Sequence, residues 1–145
     1  MRKRSQTPCL LGKSVLKGIY SMSKTYDFLK ECGYFIVVSN NGDFPAGRPF
    51  GAVMEYNDYL YLSTNTSNNA HAQIIKNGNI QIVAVKHGTR NWLRITGCAT
   101  ICNDITIKEK MIKTCPKLKK HFSSASSENF ILFKVKVLKT EFKGE

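Results

Sequence analysis

A small antiparallel β-barrel with a few short helices is the fold class that the sequence predicts. Three observations lead to it: about six runs of strand length, tight turns between the early ones, and only a few short helical patterns. An antiparallel barrel pairs strand with strand all round and so closes its own edges. No internal repeat is visible.

Ser23 is placed to cap a first helix carrying Tyr26, Phe28 and Leu29, and Gly33 suits the residue just past its end. Tyr34 to Ser39 is apolar and β-branched, a first strand closed by the turn Asn40-Asn41-Gly42-Asp43. Ala46 to Tyr56 reads as the second strand, with Pro49 marking an edge or bulge because proline has no N–H for the ladder. Asn57-Asp58 then turns the chain into Tyr59 to Thr64, so the first three strands form a meander. A helix from about Ser67 to Lys76 turns Ala70 and Ile74 to the core, with Gln73 to one side, and stops at Asn77-Gly78.

Ile80 to Lys86 is the fourth strand, and Trp92 to Cys102 the fifth. Alternation along the fifth puts Leu93, Ile95 and Ala99 in the core and Trp92, Arg94, Thr96 and Cys98 on the opposite face. A large aromatic, a cation and a hydroxyl on one face suit a ligand cleft or subunit boundary better than plain solvent. Asp104 caps a helix from Ile105 with Ile107, Met111 and Cys115 on one stripe, interrupted at Pro116. Ser123 to Ser127 is a loop, and Asn129 to Phe142 is the last strand, where Ile131, Phe133, Val135 and Val137 alternate with lysines.

A length of 145 residues suits one domain, expected over 23–145 after a basic, flexible extension at 1–22. That extension lacks the unbroken apolar run of a secretory signal, and no stretch of ~18 apolar residues exists to span a membrane. Five cysteines without a Cys-x-x-Cys pair, and three histidines not at ligand spacing from them, leave no metal site and point to reduced thiols in the cytoplasm. The net charge of +12 predicts attraction to polyanions. Recognised nucleic-acid modules are missing, however, so the lysine run at 108–120 reads as a solvated face.

The chemistry concentrates between Phe44 and Gln73. Arg48 sits on a stiff frame, and Thr64-Asn65-Thr66-Ser67-Asn68-Asn69 supplies hydroxyls, amides and the free N–H groups of a helix start, a combination suited to an anion such as phosphate. The bland reading is a helix cap and a solvated arginine. No P-loop, dinucleotide fingerprint or nucleophile elbow is present, and no catalytic residues can be assembled from the acids and histidines. A cofactor that brings its own reactivity fits better.

Four segments in register, Arg48-Pro49-Phe50-Gly51, Leu60 to Asn65, the helix through Gln73-Ile74, and Trp92 to Gly97, resemble the pyridoxamine 5′-phosphate oxidase-like family of FMN-binding split barrels. The resemblance runs from Ser23 to Phe142 and points to its nitroimidazole-resistance and general-stress branch. It implies a homodimer with FMN between subunits and a flavin-dependent oxidoreductase using NAD(P)H or a small-molecule substrate. It places Arg48, Pro49, Phe50, Gly51, Ala52 and Val53 along the flavin with Arg48 near the phosphate. Ser63, Thr64, Asn65, Thr66, Asn69 and Gln73 fall where the family contacts phosphate or ribityl oxygens, and Trp92 where it faces the ring.

The vitamin-processing members carry cations where this chain has Asn69, Ala70 and Val53. Compensation is then expected from backbone amides, Thr66, Ser67 and Asn69, or from His71 and Lys76. The losses argue against true pyridoxamine 5′-phosphate oxidase activity and leave deazaflavin, haem or no cofactor open, with a non-catalytic flavin- or haem-binding stress protein as the alternative function.

Overall fold

The computed structural model describes residues 21–144. The expected extension at 1–22 lies outside them except for Ser21 and Met22, which start the first helix, α1 (Met22–Cys32). Its cap is Ser21 rather than Ser23: Ser21 has extended backbone, and its hydroxyl accepts the Lys24 N–H at 3.2 Å. Gly33 ends the helix with φ 81°, the left-handed conformation expected there.

Seven strands form one antiparallel sheet, one more than the six expected. They are β1 (Phe35–Asn41), β2 (Phe44–Phe50), β3 (Val53–Tyr56), β4 (Tyr59–Asn65), β5 (Asn79–Val85), β6 (Trp92–Ile101) and β7 (Phe130–Lys143). The extra strand arises because the run read as one strand, 46–56, breaks at Gly51-Ala52. The sheet order is β2-β1-β5-β6-β7-β4-β3, so the two halves of that run are its two edges. Two residues thus carry the chain from one margin of the sheet to the other, and the barrel keeps a seam instead of closing. The expected meander therefore holds only as two hairpins, β1–β2 and β3–β4.

Helix α2 (Asn69–Lys76) follows β4 and buries Ala70 and Ile74, the pair expected on its inner face. Helix α3 (Ile105–Thr114), capped by Asp104, follows β6 and buries Met111 completely. A 3-10 turn, Pro116–Lys120, continues from it.

Two apolar clusters result. The barrel interior takes Phe35 and Val37 from β1, Leu60 and Leu62 from β4, Ile80 and Ile82 from β5, Leu93 and Ile95 from β6, and Phe133 and Val135 from β7. The outer faces of β4 and β7 give Tyr61, Phe130 and Leu132 to a second cluster under α3 with Met111, Leu118 and Phe122. Because successive residues of a strand point to opposite faces, these two strands are apolar on both.

Register shifts once, where Thr96 pairs with Lys139 but Gly97 with Val137. Leu138 is the extra residue of a bulge in β7. The bulge inverts the alternation expected through Phe142: Val137 packs on the interior, yet four residues past the bulge the Phe142 ring meets Phe28 edge-on at 5.6 Å. Gly97 faces the irregularity, and a Cβ there would stand 2.6 Å from the Lys136 carbonyl oxygen and 3.1 Å from Val135 Cγ1. Among the cysteines of the described residues, Cys32, Cys102 and Cys115 are free thiols.

Gly97→Ala is expected to cost about 1–3 kcal/mol through overpacking against backbone. It should lower the urea midpoint with little change in slope, and a wild-type midpoint would mean that β7 moves aside freely. On the outside of the same pair, Arg94 Nε donates to Glu141 Oε1 at 2.7 Å, and this bond holds the Glu141 carboxyl below its ordinary range. A carboxylate with a depressed folded pKa favours the fold above its unfolded value of ~4.3 and loses that contribution as pH falls through the folded one. Glu141→Gln should therefore flatten the fall of Tm below pH ~4.3 while changing Tm little at pH 7, where an exposed pair contributes little.

Candidate functional site

A cleft of ≈ 260 Å³ opens where β2 ends and β3 begins. Pro49, Phe50, Gly51 and Ala52 form one wall, and Ser63, Thr64 and Asn65 at the end of β4 form the next. Gly51 and Ala52 belong to neither flanking ladder, because the β1–β2 register ends at Phe50 and the β3–β4 register starts at Val53. Both residues line the cleft.

Asn68 completes the polar side. It caps α2 by accepting the Ala70 N–H at 2.9 Å, and the same Oδ1 accepts from Arg48 Nη1 at 2.8 Å. Arg48 Nη2 reaches Gln73 Oε1 at 3.5 Å, a long contact. The guanidinium thus ties β2 to the start of α2, and its Nε is buried without a hydrogen-bond partner. Asn65 supports the same loop, its Oδ1 accepting the Ser67 N–H at 2.9 Å.

The remaining wall comes from the 3-10 turn: Lys117, Leu118, His121 and Phe122. Leu118 and Phe122 are buried, four residues apart, and the Phe122 ring lies 4.6 Å from that of Phe130. Anchoring those two side chains leaves Lys117 and His121 on the surface that borders the cleft. The approach to the turn is fixed too, since the Cys115 thiol donates to the Val53 carbonyl at 3.4 Å, and burial pushes that thiol's pKa up. Gly51 lies beside this wall: a Cβ on it would stand 3.2 Å from Lys117 Nζ and 3.0 Å from Tyr34 Cε1.

Seven of the residues singled out from sequence, Pro49 to Ala52 and Ser63 to Asn65, therefore line one cleft. Arg48 and Gln73 stand behind Asn68. Val53 is buried in the barrel interior, while Thr66 and Asn69 do not line the cleft. Trp92 borders a different cleft with Val85, Arg90 and Lys143, its ring 5.5 Å from the Arg94 guanidinium carbon. Of the cations considered from sequence, His71 turns its Nδ1 to the Asn68 carbonyl at 3.2 Å, and neither it nor Lys76 lines the cleft. Sequence reasoning included Asn68 in its polar run but missed Lys117 and His121. The available signal was Leu118 and Phe122, an apolar pair at helical spacing inside a basic run, which marks an anchored segment rather than a freely solvated one.

No cluster of side chains suited to a metal occurs among the described residues, and no helix there is long and apolar enough to cross a membrane. Asn68→Ala should cost about 1–2 kcal/mol, because it removes a helix cap and the principal acceptor of Arg48 together. A lower Tm, restored by Asn68→Asp, is the expected result; a wild-type Tm for the alanine variant would make this junction energetically idle.

No curated protein sequence matches the chain. Among solved structures, a NimC/NimA family protein from Clostridium acetobutylicum is 30% identical, with a TM-score of 0.76 over 85% of this chain and 87% of that one. General Stress Protein 26 from Bacillus anthracis shares the fold at 18% identity and a TM-score of 0.69, over 83% and 91% of the two chains. HutZ, the haem storage protein from Vibrio cholerae, does so at 10% and 0.61, over 85% and 93%. The family model for pyridoxamine 5′-phosphate oxidase matches residues 22–144, all but the first of the described residues, and with the seamed antiparallel sheet it places this chain in the pyridoxamine 5′-phosphate oxidase family.

Proposed function

We propose that the chain binds FMN in the cleft at Gly51-Ala52 and works as a small flavin-dependent oxidoreductase, as a homodimer with the flavin at the subunit boundary. The observation that carries this is the pair of backbone residues outside both ladders, facing a wall of hydroxyls and amides. Backbone groups that neither ladder pairs can hydrogen-bond a ligand, and a planar heteroaromatic ring with donors and acceptors along its edge offers partners. The donor set fits a phosphorylated flavin: Ser63, Thr64 and Asn65 for ribityl or phosphate oxygens, and basic side chains across the cleft.

A bound flavin supplies reversible one- and two-electron chemistry, and the protein supplies position and electrostatics. In this reading Pro49 to Ala52 seat the ring, and Arg48 acts through Asn68, holding the start of α2 against the cleft instead of touching the ligand. Gln73 backs that arginine, Val53 fixes the strand from the interior, Thr66 belongs to the loop, and Asn69 starts α2. Trp92 borders another cleft of its own chain, so its place at the flavin is across the subunit boundary.

Pyridoxamine 5′-phosphate is not the substrate in this reading, because two of the positions where related enzymes carry cations, Val53 and Ala70, are buried here. NAD(P)H or another small molecule supplies the electrons. The cytoplasm is the compartment we favour, and the free thiols at Cys32, Cys102 and Cys115 agree with it.

His121 at the cleft favours a second reading, a flavin- or haem-binding protein for storage or stress without turnover. Binding of polyanions such as nucleic acid has less support, since Lys108, Lys110 and Lys134 lie over the rings of Phe130, Tyr56 and Tyr59 in their own fold. Purified protein is expected to show flavin absorption bands, to release FMN identified by mass, and to bleach with NAD(P)H. Flavin or haem colour without bleaching would establish the second reading. A colourless protein that refuses added FMN would overturn both.

A further inference from the structure

We propose that Lys117 is the cation that receives the phosphate group of the ligand in this cleft, an inference that rests on reading the cleft as a site for a phosphorylated flavin. Arg48, the cation that sequence order brings closest, has both Nη atoms engaged by Asn68 and Gln73, and its Nε is buried. It does not line the cleft. Lys117 differs in each respect: it is exposed, it lines the cleft, and no carboxylate pairs with it in the ion pairs of the described residues.

The ammonium is also held. Its Nζ stands 5.6 Å from the centre of the Tyr34 ring, within cation–π range, and against Gly51, where any larger residue would place a Cβ 3.2 Å from it. The stem is set by the next residue, Leu118, buried beneath α3. A lysine fixed in this way has already lost part of the side-chain freedom that binding would otherwise cost. Across the cleft stand the Thr64 hydroxyl and the Asn65 amide. One ammonium with three donors, a hydroxyl and an amide form the complement of a phosphate monoester, whose charged oxygens make the stronger class of hydrogen bond. Riboflavin, which lacks the phosphate, cannot use the lysine.

The test compares FMN, riboflavin and inorganic phosphate on wild type, Lys117→Gln and Lys117→Arg, all checked for wild-type Tm. Lys117→Gln is expected to weaken FMN at least tenfold and riboflavin less than twofold, and Lys117→Arg to restore most of the FMN affinity. Equal losses for the two flavins, or unchanged FMN affinity, would overturn the proposal while leaving the flavin reading intact. If wild type takes up neither flavin, that reading fails by itself, and phosphate titration followed by amide NMR decides the lysine. Shifts at Gly51, Thr64 and Asn65 that vanish in Lys117→Gln would sustain the phosphate role, and no response in wild type would overturn it.

Discussion

The interruption of one strand at Gly51-Ala52 is the constraint on which the rest of the structure depends. Upstream of it the chain pairs with β1 on one margin of the sheet, and downstream it pairs with β4 on the other. A sheet of seven twisted strands whose two margins share two consecutive residues has to roll up, because the covalent link draws the margins together. Rolling encloses the Leu60, Ile82, Leu93 and Val135 cluster, and it leaves at the link a pair of backbone units that no strand satisfies. The enclosed core and the cleft therefore share a cause.

Burial then decides which side chains can serve the cleft. Val53 and Ala70 lie next to it in sequence but face the interior, where an ammonium would have to be stripped of water without a partner. The basic side chains that do line the cleft, Lys117 and His121, come from the segment after α3, pinned by Leu118 and Phe122. In the reading proposed above, the family's fold is kept while the source of charge moves to another element. This is how a shared barrel accommodates different ligand chemistries without altering its core.

What could be read from the sequence follows from periodicity. Ala70 with Ile74, Met111 on its stripe, and the alternation of Ile131, Phe133, Val135 and Val137 are local patterns that tertiary packing respected. Two features broke the pattern. The bulge at Leu138 shifts the phase of β7 by one residue, and only its pairing with Gly97 reveals it. The break at Gly51 leaves composition unchanged on both sides, so one long strand and two short ones look alike. At the site, Pro49 to Ala52 and Ser63 to Asn65 were legible because they are consecutive. Lys117 was not, since it comes beside them only through contacts between segments more than fifty residues apart in the chain.

The open margin at β2 has a consequence for the behaviour of the protein in crowded solution. An unpaired strand edge is a template on which another chain can add its own strand, and the surface around β2 includes the exposed rings of Tyr34 and Phe44. Pro45 and Pro49 occupy this edge strand four residues apart, so both lie in the same phase of the pleat. Proline is tolerated at an edge where the N–H would have pointed to solvent, and its absence there removes donors from the free side. An incoming strand would find two of its carbonyls unmatched, which disfavours strand addition at this margin.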